Sequence, residues 1–272
     1  KLSSPAWLER LELVKAIFLE RIGPERIILR LSRNLEETAG ESGHVDGTIL
    51  HGTPLDGPVV FLEEGLRFEA DVLKGQKTGF FLDQRENRKR IGQLAQGRDV
   101  LNAFSFTGGF SLHAARGGAN SVTDLDLSSH ALEAAARNFA LNREDPQVAA
   151  CRHLSVQDDA FAWIDHIRDV SYDLVITDPP SLAKREVERS RAIQAYGRLN
   201  ANAIRLLRHG GILLAASCSA HVSADEFFGA VRQAARQSGR RFEEIETTGH
   251  APDHHATFPE AEYLKGIYMR FD

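Results

Sequence analysis

The sequence predicts an α/β protein: a doubly wound, mostly parallel sheet preceded by a small α+β unit. From about Gln84 onward, short β-type runs alternate with segments whose apolar residues recur at helical spacing. That rhythm belongs to a parallel sheet covered on both faces. Before Gln84 the texture differs, with one helical stripe, several short strand-like runs and closely spaced turn signals. Composition agrees: of 272 residues, 42% are hydrophobic and 26% charged, the balance of a chain that buries a core.

The first part is expected to span residues 1–83. Trp7, Leu11, Leu13, Val14 and Phe18 suggest a helix from Pro5 to Ile22, ended by Gly23-Pro24. Arg26 to Arg30 reads as a short β run and residues 34–46 as a loop. Gly47 to Leu50, Val59 to Glu63 and Leu66 to Val72 read as strands, with turns at Leu55-Asp56-Gly57 and Glu64-Gly65. The second part, 84–272, should hold strands at Val100 to Phe104, Ser121 to Leu125, Val148 to His153, Leu174 to Thr177 and Ile212 to Ala216. Helices are expected at Phe110 to Arg116, around Leu132, Ala135, Ala136 and Phe139, and around Tyr196, Leu199, Ala203 and Leu206.

Several classes are excluded at this level. No apolar run approaches the roughly eighteen residues of a membrane helix. The N-terminus lacks the apolar core of a signal peptide. Two cysteines cannot build a disulfide framework and fit a reducing, cytoplasmic setting. A net charge of -5 offers RNA no general attraction, so any grip on it must come from a local basic patch. Arg85, Arg88, Lys89 and Arg90 on a predicted helix form one such cluster, equally readable as a solvated face.

In doubly wound sheets ligands lie beyond the carboxyl ends of the strands. After the first strand comes Ser105-Phe106-Thr107-Gly108-Gly109-Phe110. Paired glycines allow a tight turn and close backbone approach, and the next helix offers its N–H groups. Phe110 to Leu112 supplies no third glycine, which weakens a dinucleotide fingerprint. Asp126 lies roughly twenty residues on, the spacing of a carboxylate that grips ribose hydroxyls. With Asp159 after the third strand, a nucleoside pocket becomes a better reading than a plain turn.

Asp178-Pro179-Pro180-Ser181 follows the fourth strand. Two prolines fix φ and remove donors, so the carboxylate is held in one direction, although Asp-Pro also forms ordinary turns. Ser217-Cys218-Ser219 follows the fifth, making Cys218 a candidate nucleophile. Cys151, inside the third strand, reads as packing. His250, Asp253, His254 and His255 lack metal-ligand spacing and read as a loop facing substrate or solvent.

In this order the motifs resemble class I S-adenosylmethionine-dependent methyltransferases. More closely, the segments Gly75-Gln76-Lys77-Thr78-Gly79-Phe80-Phe81-Leu82-Asp83-Gln84-Arg85 and Leu101 to Ser111 resemble the bacterial large-subunit ribosomal RNA (cytosine-5) methyltransferases. So do Asp178 to Ser181, Ser217 to Ser219, Phe258-Pro259-Glu260 and Tyr263-Leu264-Lys265-Gly266. The resemblance runs from about Gly47 to the end. It implies a Rossmann-like sheet, S-adenosyl-L-methionine as cofactor, RNA (ribosomal) as partner, and neither metal nor membrane. Homo-oligomerisation is left open. Cys218 and Asp178 would be catalytic. Phe81, Asp83, Phe104, Ser105, Thr107, Gly108, Gly109, Asp126, Asp159, Asp178 and Pro179 would contact the cofactor, and Pro180, Ser181, Arg85 and Lys184 the substrate. Relatives usually begin with an RNA-binding PUA domain. None precedes the helix at Pro5, so the expectation is a catalytic portion without it. Leu182-Ala183 stands where relatives often carry Phe. Methylation of another RNA atom or of a small molecule, and a non-catalytic RNA- or nucleoside-binding protein, are the alternatives.

Overall fold

Two units fold from this chain: Lys1–Leu62 with Arg67–Phe81, and Glu63–Leu66 with Leu82–Asp272. The computed structural model describes residues 1–73, 75, 79–168 and 170–272, except the side chains of 33 and 259. Gln76, Lys77 and Thr78 of the motif before the second unit lie outside the described residues.

In the first unit a 3-10 turn (Pro5–Trp7) leads into α1 (Leu11–Arg21). The expected helix starts late because Leu8 and Leu11 donate to carbonyls three residues back, at 2.9 and 3.2 Å, which winds the chain tighter than an α-helix. β1 (Ile27–Ile28) and β2 (Ile49–His51) pair antiparallel. Between them the expected loop contains α2 (Glu36–Glu41). Leu35 and Ala39, one turn apart, are both buried, and Glu36 and Glu37 sit where the helix dipole favours anions. Leu8, Leu11, Leu29, Leu31 and Ala39 form the core. β3 (Val59–Glu63) and β4 (Leu66–Ala70) make a hairpin, on which Phe61, Phe68 and Phe80 pack with ring centroids 4.9–5.9 Å apart.

The second unit runs α3 (Arg85–Leu94), β5 (Asp99–Ala103), α4 (Gly109–Arg116), β6 (Ser121–Asp126), α5 (Ser129–Leu141), α6 (Pro146–Ala150) and β7 (Arg152–Gln157). It continues with α7 (Ala160–His166), β8 (Tyr172–Thr177), α8 (Arg189–Arg205), β9 (Leu207–Ser217), α9 (Ala224–Gln237), β10 (Phe242–Thr248) and β11 (Lys265–Phe271). Its seven-stranded sheet has the order β10-β11-β9-β8-β5-β6-β7. β11 is antiparallel to both neighbours, and the pairs among β9, β8, β5, β6 and β7 are parallel. Strand order reverses at β5, between β6 and β8, which makes the adjoining carboxyl ends the natural crevice for a ligand. Leu101, Leu125, Val175, Leu213 and Ile267 from the strands pack with Tyr196 and Phe227 from α8 and α9.

The third strand of the alternating region is displaced from its expected place. Asp145 caps a helix by accepting Gln147 N–H at 2.9 Å and Val148 N–H at 3.3 Å, and Pro146 opens it. Residues 146–150 are thereby helical, the strand begins at Arg152, and Cys151 caps the helix rather than lying inside the strand. Burial pushes the Cys151 thiol up to about 11.

Charge is buried in this unit as well. Arg88 grips both oxygens of Glu63 at 2.6 Å, and His113 Nε2 lies 3.1 Å from the same carboxylate. All three side chains are buried. Among the described residues no helix is long and apolar enough to cross a membrane.

Candidate active site at the carboxyl edge of the sheet

The turn after β5 carries unusual backbone. Phe104 (φ +62°), Phe106 (φ +49°) and Gly108 (φ +72°) all occupy the left-handed region, a concentration that side chains disfavour and that marks functional turns. Tertiary hydrogen bonds hold it there. Phe104 and Ser105 N–H donate to Leu125 O at 2.8 and 3.1 Å, and Phe106 N–H donates to Asp126 Oδ2 at 2.9 Å. Thr107 O accepts from Asn138 Nδ2 at 2.9 Å. The paired glycines also answer to packing. A Cβ on Gly108 would stand 2.8 Å from Ala135 Cβ, and one on Gly109 would stand 3.0 Å from Arg88 Cδ.

Asp126 ends β6 half-buried, with Oδ1 accepting Ser128 N–H at 2.9 Å. Its buried neighbour Asp124 serves the scaffold, bonded to Ser111 Oγ, to Asn102 at 3.2 Å and to His153 at 2.8 Å. Asp159 is the N-cap of α7 and accepts Ala162 N–H at 3.0 Å.

Asp178 follows β8 half-buried. Its Oδ2 accepts Gln84 Nε2 at 2.9 Å. Gln84 Oε1 accepts Asn87 Nδ2 at 2.6 Å, and Asn87 Oδ1 accepts Thr248 Oγ1 at 2.8 Å. The carboxylate therefore stands at the front of a buried polar relay that crosses from α3 to β10.

Cys218 follows β9, with Sγ directed at Pro179 O, 3.9 Å away. The two loops are joined beneath it by a fully buried knot. Ser219 Oγ accepts the N–H groups of Leu182 and Ala183 at 3.0 and 3.3 Å. It also shares hydrogen bonds with Tyr196 OH at 2.8 Å and Ser181 Oγ at 3.2 Å. Ser217 Oγ donates to Tyr196 OH at 2.9 Å. Pro180 is exposed and Ser181 half-buried in this loop. Lys184 is exposed and bonds Glu188 through its backbone N–H.

Two further side chains reach this edge from β11. Because that strand is antiparallel, its beginning, not its end, lies level with the carboxyl ends of its neighbours, and Lys265 pairs in register with Ser217. Lys265 is buried and donates to Ser219 O at 2.7 Å and Val222 O at 2.5 Å. Burial pulls its ammonium down to about 8, against the opposing charges of Cys218 and Glu226. Tyr263 OH donates to Asp83 Oδ2 at 2.8 Å. Burial raises this phenol above its ordinary range, and the charges of Asp83 and Cys218 add to the shift.

Phe81 is the last residue of the first unit and is half-buried. The basic cluster on α3 is already engaged. Arg85 makes two 3.0 Å bonds to Asp253, Arg88 binds Glu63, Lys89 lies 3.3 Å from Glu64, and Arg90 pairs with Glu246. A phosphate arriving at Arg85 must displace Asp253. His250 stacks on His254 at 3.8 Å, and both present ring edges or faces to Tyr263. Among the described residues no group of three His, Cys, Asp or Glu side chains is arranged to hold a metal.

Searching only beyond strand ends finds Asp126, Asp178 and Cys218, with Ser219 beside it, but misses Tyr196, Gln84, Tyr263 and Lys265. Tyr196 carries a helical-core signal, and its hydroxyl is the one hint of a second duty. Lys265 would be found by asking what an antiparallel strand places at its start.

Comparison with known proteins bears on this geometry. A family model described as S-adenosylmethionine-dependent methyltransferase matches residues 42–270. A Deinococcus radiodurans protein named ribosomal RNA large subunit methyltransferase is 54% identical over 274 residues, covering 100% of this chain and 66% of the relative. A Shewanella amazonensis protein named ribosomal RNA large subunit methyltransferase I is 39% identical over 227 residues, covering 82% of this chain and 56% of the relative. The chain thus spans between 56% and 66% of the length of these two relatives. The solved structure SMU.776, described as a methyltransferase complexed with SAH, matches with a TM-score of 0.81 at 24% identity. It covers 98% of this chain and 67% of its own, a likeness of fold.

Proposed function

Because the chain belongs to the S-adenosylmethionine-dependent methyltransferase family, we propose that it methylates C5 of a cytosine in large-subunit ribosomal RNA through a covalent adduct on Cys218. The ribosomal target follows the names of its relatives. The C5 position is supported by a thiol and a carboxyl, Cys218 and Asp178, that follow the adjacent strands β9 and β8.

The residues present fit the cofactor. Ser105 Oγ and Asp83 Oδ1 are buried without a hydrogen-bond partner among the described residues, and a buried polar atom without a partner is unfavourable unless a ligand supplies one. In this reading Phe104, Ser105, Thr107, Gly108 and Gly109 line the cofactor and Asp126 takes the ribose hydroxyls. Asp159, through the oxygen not used in capping, takes the adenine amino group. Asp83, Asp178 and Pro179 face the methionine end. Bound S-adenosylmethionine supplies a methyl group activated by its sulfonium.

Cytosine C5 is a weak carbon nucleophile. The Cys218 thiolate adds to C6, forming an S–C6 bond and pushing the C5–C6 π electrons toward C5 and N3. Asp178, protonated on the oxygen that Gln84 does not engage, donates its O–H to N3, passes the proton to the nitrogen as charge arrives there and takes it back when the thiolate leaves, while Gln84 holds the carboxyl in place. After methylation a base takes the C5 proton, the double bond re-forms and the thiolate leaves. The target base must be turned out of its stack to reach the thiol. Pro180, Ser181, Arg85 and Lys184 are then the substrate-facing groups.

The observation that carries this reading is the approach of Cys218 Sγ to Pro179 O at 3.9 Å, with both loops tied to one serine hydroxyl. A thiol with a packing role has no need of that arrangement. The test uses RNA containing 5-fluorocytosine, whose C5 fluorine cannot be removed as a proton. With cofactor it should trap a protein–RNA adduct on a denaturing gel, and Cys218→Ala should abolish it. Methyl transfer that survives Cys218→Ala unchanged would refute the adduct and favour methylation of a base nitrogen.

A further inference from the structure

Lys265 is a basic side chain placed where a cation is disfavoured. It is 4% exposed, and its two hydrogen bonds go to neutral carbonyls, Ser219 O and Val222 O. Among the described residues no carboxylate lies within 4.0 Å of its nitrogen. Buried lysines are normally paired, because an isolated buried ammonium is strongly unfavourable. The unusual burial calls for a partner of opposite charge, and the fold brings one to the site. Lys265 is opposite Ser217 in the β9–β11 ladder, and its nitrogen reaches past Cys218 to the carbonyls of Ser219 and Val222. The lysine therefore ties the backbone on either side of the cysteine, at Ser217 through the ladder and at Ser219 through its nitrogen.

We propose that Lys265 is the positioning residue of the Cys218 thiolate. It fixes the backbone that follows the cysteine and supplies the buried positive charge that favours the ionised sulfur. The inference rests on the cysteine reading above. The charged and titratable neighbours of Lys265 are Cys218 after β9, Glu226 on α9 and His250 after β10, and Tyr263 before β11 and Tyr196 on α8 face Cys218. Glu226 is bonded to Arg189 at 2.9 Å and to the N-cap serine of α9, Ser223, so its charge is largely committed. Both tyrosines are shifted upward and stay neutral. Burial and the charge of His254 hold the His250 ring toward its neutral form, and Cys218 is the neighbour whose ionised form Lys265 favours.

The pH dependence of Cys218 alkylation by iodoacetamide, followed by mass spectrometry from about pH 5 to about pH 10, reads the thiolate directly. Lys265→Met should move the midpoint upward by about one pH unit, slowing alkylation at neutral pH about tenfold. Lys265→Arg keeps the charge and should leave the midpoint at or below that of the unmodified protein. An unmoved midpoint in folded Lys265→Met would overturn the proposal. If Lys265→Met does not fold, Lys265→Arg decides alone, since a midpoint above the parent's would mean the side chain acts only as a structural tie. No RNA enters this experiment, so loss of the fluorocytosine adduct with a normal Lys265 effect would strike the cytosine-5 reading and leave this one standing.

Discussion

Replacing Tyr196 by phenylalanine removes one oxygen from the knot that joins the loops after β8 and β9. In the native protein that oxygen accepts from Ser217 Oγ at 2.9 Å and shares a hydrogen bond with Ser219 Oγ at 2.8 Å, and all three side chains are fully buried. Ser219 retains the Leu182 and Ala183 N–H groups, so the knot loosens without dissolving. Ser217 loses the acceptor of its hydroxyl. One orphaned buried hydroxyl and two lost bonds amount to about 2 kcal/mol of stability. The ring keeps its edge contact with Phe227, centroids 5.0 Å apart, so no large packing loss is added. If about two-thirds of that energy falls on the relative placement of Asp178 and Cys218, kcat should drop about tenfold with KM for the cofactor little changed. Urea denaturation gives the first number and single-turnover methyl transfer the second. A Tyr196→Phe protein within about 0.5 kcal/mol of the parent, with kcat unchanged, would refute the clamp.

Acid should expose the buried Glu63 cluster. Burial alone would raise the Glu63 carboxyl, but hydrogen bonds and charge from His113 and Arg88 outweigh it and hold the value down to about 2. A depressed acid contributes stability above its unfolded value of about 4.5 and loses that contribution as pH falls toward about 2. Glu63→Gln should destabilise the protein by about 3 kcal/mol at neutral pH, because Arg88 is left buried without its counterion. Its deficit should shrink across that acidic window, and an equal deficit at both ends would count against the assignment. Gly266→Ala would place a methyl 2.4 Å from Thr248 Oγ1, forcing Thr248 off Asn87 and costing about 2 kcal/mol. Adding Thr248→Ala should recover part of that loss. Strict additivity of the two changes, measured by thermal unfolding, would show that they do not meet.

Much of the parallel sheet is legible because buried parallel strands are short apolar runs and each carboxyl end is marked by a polar residue. Asp126, Asp178 and Cys218 are found by that rule, since the chain direction makes the strand end and the ligand edge coincide. β11 breaks the coincidence. Its first residue, not its last, arrives at the edge, so Lys265 and Tyr263 escape the strand-end rule and enter only through the family resemblance of Tyr263-Leu264-Lys265-Gly266. The misplaced third strand has a different cause. Val148, Ala149 and Ala150 are equally at home in strand or helix, and the decision falls to Asp145, whose carboxylate finds two N–H groups only if the chain turns helical there. The basic run on α3 failed to separate solvated face from RNA patch because each cation's partner, Asp253, Glu63, Glu64 or Glu246, is distant in sequence.

The place of β11 after every other element also sets an order of events during synthesis. Cys218 leaves the ribosome before Lys265 does, and the turn around the thiol is not tied until β11 docks beside β9. At elongation rates of about 5–20 residues per second, the nascent chain spends a few seconds with the Cys218 thiol made and the turn after it untied. Until β11 pairs with β9, the ladder does not hold Lys265 against the carbonyls of Ser219 and Val222, so this edge of the sheet is the last part of it to be completed.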